Sequence, residues 1–584
     1  MGKVGGSRHN MSWEAQVPLK RVFQNGLGAI LLPTACIVVV LAPMVADLGS
    51  AQVTYHMEVM TLQTSQETWM RTCAGERGAW LMPSWNGAPR LRKPPMSVWL
   101  NLLAWRGLNP ANASVETLVW RSRLLGVLLT ALALAATYWI ARHLGDRRSG
   151  AAACLVAGTM FLLLRQARLA SYDTHLLAWC TVAVAGGLHA LRPTGPPASF
   201  AAAALGWTLA AFAGGLAVMT KGALALVLIW APLAVMALLA GRRRAANFAP
   251  MAAALLLAVA LASPWFLYAA AHFGDTLTEV ADEYRAQRNE FQPPWYYLGL
   301  FGLVFPWCIP FGMAVAAPFR GAARPGRGLR LIPWAWWATL FLLLSIPGAK
   351  QQRYIVPALP AAAIMVAQWW LTETSGESER WVFRRLHFGV LAGLSVIGPL
   401  FIALQPVFVR LGWMARAEIE GLAWPALLAL AATCASLAAL GARLHAQGRR
   451  FASLACTALW MVVLAATVFP GYARSWHGRY RQLDDGRRVL AAVGQAQFLY
   501  LDLPDVSYRD EPNQKLLLYA RRVIPRVEPA ALTDLAKAGE PVYVMAPAEA
   551  SADAPLAAAG FEPLFDWHDG STPRRLWRNA VRGE

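Results

Sequence analysis

The chain has 584 residues, 57% of them hydrophobic and only 15% charged, with a formal net charge of +20 and a positive mean hydropathy. A soluble protein of this length would divide into several domains, each needing a polar surface that this composition does not supply. Soluble and disordered classes are therefore excluded, and apolar runs long enough to cross a bilayer recur along the chain.

The N-terminal basic residues and the apolar run after them lack a small-residue cleavage pattern, and further spans follow. A retained first helix is expected rather than a cleaved leader. In chain order the spans fall near 27–46, 121–142, 149–165, 174–191, 199–219, 223–240, 247–268, 295–318, 331–346, 354–372, 386–404, 424–443 and 451–470. The expected fold class is thus an all-α polytopic membrane protein of about thirteen transmembrane helices. The apolar piece Met96 to Trp105 is too short to cross and belongs at the interface. Residues 1–470 form the transmembrane domain, with 47–120 as its first outer loop. Beyond 471 the composition turns charged. Gln497 to Asp502 and Pro541 to Met545 read as strands, with helices near 484–494, 512–521 and 529–538, so 471–584 is expected to be a small α/β domain outside the membrane.

Charge orients these spans. With Lys3, Arg8, Lys20 and Arg21 cytoplasmic, Arg147-Arg148, Arg242-Arg243-Arg244, Arg320/Arg324/Arg327/Arg330, Arg384-Arg385 and Arg449-Arg450 all fall on the same side, as the positive-inside bias requires. The opposite, periplasmic face of this inner-membrane protein receives the 47–120 loop, Arg165 to Asp173, Thr220-Lys221-Gly222, the 269–294 loop, Pro347 to Tyr354 and the tail. Basic residues spread over many loops form no contiguous patch, which argues against nucleic acid. Six of seven cysteines lie in or beside apolar spans and no CxxC occurs; neither a disulfide framework nor a cysteine metal site is expected.

The candidate residues gather on that outer face. Asp173 sits at the mouth of a span, where a carboxylate is costly unless it faces a polar cavity or pairs with Arg165 or Arg168. Lys221 begins a span directly after another, against the positive-inside bias, with simple snorkelling as the bland alternative. Lys350, Arg353 and Tyr354 precede Pro357 and Pro360, and Lys93 precedes two prolines; these are cations pinned by stiff backbone. Arg285 and Arg288 add positive charge. Their shared sidedness indicates an anion site, such as the phosphate of a lipid in the outer leaflet. A carboxylate beside it, Asp173 or Glu67 of the acidic pair Glu58 and Glu67, would take a proton from an acceptor hydroxyl. The cations would stabilise charge growing on the departing phosphate. No nucleotide is available outside the membrane, so the transferred group must arrive on a lipid; no Walker loop or serine-histidine-acid motif appears.

Taken in order, Trp80-Leu81-Met82-Pro83, Asn86-Gly87, Lys93-Pro94-Pro95, Arg168 to Asp173, Lys221-Gly222, Ser263-Pro264-Trp265 and Lys350 to Pro360 resemble the GT-C superfamily of polyprenyl-phosphate-sugar transferases. That superfamily includes the aminoarabinose lipid A transferases and the dolichyl-phosphate-mannose protein mannosyltransferases (the PMT family). The resemblance covers about 27 to 370 and, more loosely, the tail. It implies a membrane glycosyltransferase, hexosyl or pentosyl, that moves a sugar from a polyprenyl-phosphate donor to lipid A, a glycan or a protein, with inversion of the anomeric centre. Lys93, Lys221, Arg285 or Arg288, Lys350, Arg353 and Tyr354 would hold the donor phosphate, and Asp173 and Glu67 would orient and activate the acceptor. The family's first outer loop opens with a pair of acids. Here Gln66-Glu67 keeps one, and Asp47 is the rival position. Two residues accompanying metal in the lipid A transferases are replaced by Arg92 and by Glu283-Tyr284, so no metal is expected, with His175 the alternative ligand. No obligate cofactor is expected, and the chain is read as a monomer among membrane lipids. Two rivals are a lipid-linked sugar flippase, which predicts charges near mid-membrane and inverted repeats with broken helices, and a non-catalytic scaffold.

Overall fold

The long apolar runs set the architecture. The computed structural model describes residues 19–49, 53, 55–193, 198–239, 244–274, 291–319, 327–372, 377–414, 419, 422–479, 482–501, 514–569 and 572–580. Arg285 and Arg288 lie outside the described residues. Among these, eight helices are long and apolar enough to cross a membrane, from Val115–Leu144 to Arg450–Tyr472. A bent pair, Arg147–Gly158 and Phe161–Ala167, makes a ninth unit, and four shorter apolar helices complete the set: Leu31–Val45, Leu224–Leu239, Cys308–Phe319 and Leu331–Ser345. Each of the thirteen segments expected from hydropathy has one of these helical units in its place.

Two of them depart from a straight span. The 149–165 segment breaks by 69° at Thr159 and Met160, where the Thr159 hydroxyl donates back to the Leu155 carbonyl and accepts the Trp307 indole N–H at 3.0 Å. The 295–318 segment is a 3-10 turn (Pro294–Gly299), a four-residue helix (Leu300–Leu303) and then a helix over Cys308–Ala316. Pro306 stands between the last two and has no N–H to continue the ladder.

The helices that matter most for the site are α1 (Leu19–Val45), α2 (His56–Cys73), α3 (Met96–Ala104), α4 (Val115–Leu144), α5 (Arg147–Gly158), α6 (Phe161–Ala167), α7 (Tyr172–Leu191) and α8 (Phe200–Lys221). Helices α7 and α8 run antiparallel and pack closely through Gly186 and Gly206. A Cβ on Gly186 would lie 2.6 Å from the Gly206 carbonyl oxygen, so only glycine admits this approach. The consequence is that the first turn of α7 and the last turn of α8 lie side by side at one end of the bundle. At the other end, the Arg450 guanidinium donates to the Leu371 carbonyl and the Arg450 carbonyl accepts from Trp370.

The tail forms a five-stranded sheet. Strands β3 (Gln497–Leu501), β4 (Arg526–Val527), β5 (Val542–Pro547), β6 (Phe561–Asp569) and β7 (Thr572–Asn579) follow the hairpin strands β1 (Ser84–Trp85) and β2 (Ala88–Pro89). The order is β4-β3-β5-β7-β6, parallel on one side of β5 and antiparallel on the other. Phe498 and Tyr500 enter one core while Leu499 and Leu501 enter another, the period-two alternation of a sheet covered on both faces. The two strands expected from sequence are β3 and β5. The β6–β7 hairpin carries no clear strand signal in sequence, because Pro563 interrupts the first strand at a register shift and arginines crowd the second. Proline is tolerated in β6 because that strand is the sheet edge.

Candidate active site

Asp173 lies in the first turn of α7 and Lys221 is the last residue of α8. Lys221 therefore ends a helix, rather than beginning the next span as the sequence suggested, and Gly222 at φ +74° turns the chain after it. Helix dipoles favour an anion at the first position and a cation at the second. The two side chains meet: Lys221 Nζ donates to Asp173 Oδ1 at 2.7 Å. Arg353 Nε lies 3.5 Å from Asp173 Oδ2, and all three side chains are at most 7% exposed. This third member comes from a 3-10 turn, Gln352–Ala358, before the helix Leu359–Thr372.

Aromatic rings close around the triad. Lys221 Nζ sits 4.6 Å from the Tyr354 ring centroid and 5.7 Å from that of Tyr172. Arg353 donates to the Tyr55 hydroxyl at 2.6 Å, joining this turn to the start of α2. Lys93 completes the cluster. Burial and the charges of Lys221 and Arg90 push its ammonium from the usual lysine range down to about 7, with Asp173 acting the other way and Arg353 adding to the repulsion. Its own segment is tied in by His175 Nδ1, 2.9 Å from Ser97 Oγ, and by Arg90, which donates to Thr64 Oγ1 at 3.0 Å. Among the described residues, Lys221 and Arg353 contact the Asp173 carboxylate and Lys93, with Arg90 beside it, adds further positive charge, a concentration of cations that favours an added anion.

A second acid, Glu58, holds the frame. It is 1% exposed, accepts two hydrogen bonds from Arg123 at 2.8 and 3.0 Å, and accepts the Ala170 N–H at 2.9 Å. Arg123 also donates to the Leu48 carbonyl. One carboxylate therefore links α2, α4 and the turn that presents Asp173.

A family model described as dolichyl-phosphate-mannose-protein mannosyltransferase matches residues 103–275. The undecaprenyl phosphate-α-4-amino-4-deoxy-L-arabinose arabinosyl transferase of Edwardsiella ictaluri is 29% identical over 344 residues, covering 56% of this chain and 58% of that protein. The enzyme of the same description from Pectobacterium carotovorum is 26% identical over 306 residues, covering 50% and 52%. These alignments span little more than half the length of the curated relatives. The crystal structure of ArnT from Cupriavidus metallidurans bound to undecaprenyl phosphate superposes with a TM-score of 0.68 at 19% identity, over 95% of this chain and 99% of that one. The chain has the GT-C fold.

Within this GT-C fold, the residues expected at the site do not all converge. Asp173, Lys221, Arg353, Tyr354 and Lys93 do. Lys350 donates to the Gln292 and Pro347 carbonyls at 2.9 and 2.5 Å and so staples two loop segments. Glu67 accepts the Gly87 N–H at 2.9 Å and lines a different cleft. Asp47 has φ +52°, and Arg168 donates to the carbonyls of Pro43 and Ala46 just before it. His175 is buried against Ser97. Among the described residues, no group of three or more His, Cys, Asp or Glu side chains is placed to hold a metal ion. Sequence reasoning passed over Tyr55 and Arg90, which carry no motif of their own, and noted Glu58 only as one of an acidic pair.

The Asn86-Gly87 piece has a structural job in this fold. With φ of +50° and +84° it forms the two-residue turn of the β1–β2 hairpin, the geometry for which Asn-Gly is favoured. Asn86 then exchanges two hydrogen bonds with the Ile524 backbone, at 2.9 and 2.8 Å, docking the tail domain on the first loop. Asn86→Ala removes both. It should loosen this docking by about 1–3 kcal/mol, seen as faster hydrogen exchange confined to residues around 514–527.

Proposed function

We propose that this chain is a membrane glycosyltransferase that moves a pentose or hexose from a polyprenyl-phosphate donor to an acceptor at the periplasmic face. The observation that carries the reading is the convergence of Lys221 and Arg353 on Asp173 at one end of the bundle, with Lys93 beside them. The GT-C fold and the descriptions of the relatives support the same activity.

The charge arithmetic suits the chemistry. A sugar-linked polyprenyl phosphate is a diester with one negative charge, and the released polyprenyl phosphate is a monoester with up to two. Fixed cations grip the second more strongly than the first, so they stabilise the transition state over the ground state. The acceptor hydroxyl oxygen bonds to the anomeric carbon from the face opposite the phosphate, which inverts that centre. The carbon–oxygen bond to phosphate breaks and its electron pair stays on the phosphate. The acceptor proton passes to the Asp173 carboxylate. Lys221 and Arg353 turn toward the phosphate as its charge grows and leave Asp173 freer to accept that proton.

The flippase alternative predicts charges near mid-membrane. Asp173 and Lys221 instead occupy helix ends, and the fold is that of transferases. We place the basic loop runs in the cytoplasm and the site with the tail domain in the periplasm.

Transfer from labelled undecaprenyl-phosphate sugars to envelope acceptors tests the reading. Asp173→Asn should fold, retain undecaprenyl phosphate binding within a few-fold, and lose transfer by about 10²–10⁴-fold. Full transfer by that variant would remove Asp173 from the chemistry, and no transfer by the parent protein would remove the function.

A further inference from the structure

A second cleft, of about 280 Å³, opens between α2 and the tail domain. One wall is a single helical turn of α2, carrying Gln63, Gln66 and Glu67. The other is the segment Arg521 to Val523, which precedes the docked Ile524. Four side-chain atoms of that turn, Gln63 Oε1, Gln66 Nε2, Gln66 Oε1 and Glu67 Oε2, are buried without a hydrogen-bond partner, as is Arg521 Nε across the cleft. The three α2 residues are at most 8% exposed. Buried polar groups are ordinarily paired, and each that is not destabilises the fold. So many in one turn, on residues that all line one cavity, mark a surface completed by something else.

The chemistry of the wall selects the ligand. It offers both donors and acceptors, as a hydroxyl-rich molecule requires. It is poorly suited to an anion. Glu67 is itself a carboxylate, and the nearby guanidinium groups are already engaged: Arg521 with the Ala113 and Pro110 carbonyls, Arg522 with those of Gly494 and Ala496, and Arg71 with Glu76 and Ser84. The volume is that of about nine water molecules, room for one sugar ring.

We propose that this cleft is a subsite for an uncharged saccharide, with Glu67 and Gln66 accepting and donating to its hydroxyl groups. As an acceptor subsite it rests on the transferase reading. Glu67 then acts as a binding residue, and the tail domain supplies half of the site.

The test uses the full chain in lipid nanodiscs. Saturation-transfer NMR against methyl pentosides, methyl hexosides and neutral N-acetylhexosamine disaccharides should detect binding of at least one. Gln66→Leu and Glu67→Gln should each weaken that binding tenfold or more. Gln66→Leu should melt at or above the parent temperature, because it removes two unpaired buried atoms, and its undecaprenyl phosphate binding should not change. The proposal is overturned if no saccharide of the panel binds, if binding survives both substitutions, or if inorganic phosphate competes for the cleft. Saccharide binding in a protein that fails to bind undecaprenyl phosphate would support the cleft and sink the donor reading alone.

Discussion

Lys93→Ala is expected to abolish sugar transfer, lowering the rate by at least about 10²-fold, the size of effect seen when one donor to a developing anion is removed. The lysine is half-buried and its ammonium is held down to about 7 by desolvation and by Lys221 and Arg90. An added phosphate would place negative charge beside the ammonium and draw the proton back on. Binding of undecaprenyl phosphate should therefore weaken as pH rises above about 7, where an exposed lysine would hold its charge to near 10. The sign for stability is opposite. The folded protein carries fewer protons on Lys93 than the unfolded chain does between about 7 and roughly 10.4, so this residue makes stability rise with pH across that window. Lys93→Met should flatten the rise and melt higher at neutral pH while losing the donor. Melting curves and donor titrations from pH 6 to 10 read both effects, and a Lys93→Met protein that still binds donor would place the phosphate elsewhere.

Glu58→Ala should produce the largest loss of folded protein. It strands the fully buried Arg123 guanidinium and removes the acceptor for the Ala170 N–H. Breaking a buried pair from one side typically costs about 3–5 kcal/mol. Pairing Glu58→Met with Arg123→Met should recover much of the stability, since a matched apolar replacement leaves no uncompensated charge. It should not recover transfer, because the turn that presents Asp173 still lacks its anchor. Melting temperature and single-turnover rate separate these two roles. Recovery of both in the double variant would reduce Glu58 to a stability element.

Particular residues show how far reading the chain reaches. Hydropathy alone located the helical units, because about 20 consecutive apolar residues have few alternatives in a soluble core. Asp173, Lys221 and Arg353 stood out because ionised groups beside apolar spans are rare and costly. Glu67 and Lys350 looked equivalent to them in sequence, yet their hydrogen bonds run to Gly87 and to backbone carbonyls. Nothing local distinguishes a cation that waits for a ligand from one that ties two loops together.

The amino-acid order by itself determined that the chain lives in a membrane, how many apolar segments it has, and which loops carry ionisable groups, since these depend on composition over one segment at a time. The tertiary structure alone decided which of those groups meet. Glycine contact between α7 and α8 sets Asp173 beside Lys221, Tyr55 brings in Arg353 from some 298 residues away, and Asn86 brings down the tail. Contacts of that range follow from how helix ends pack in three dimensions, which no window along the sequence contains.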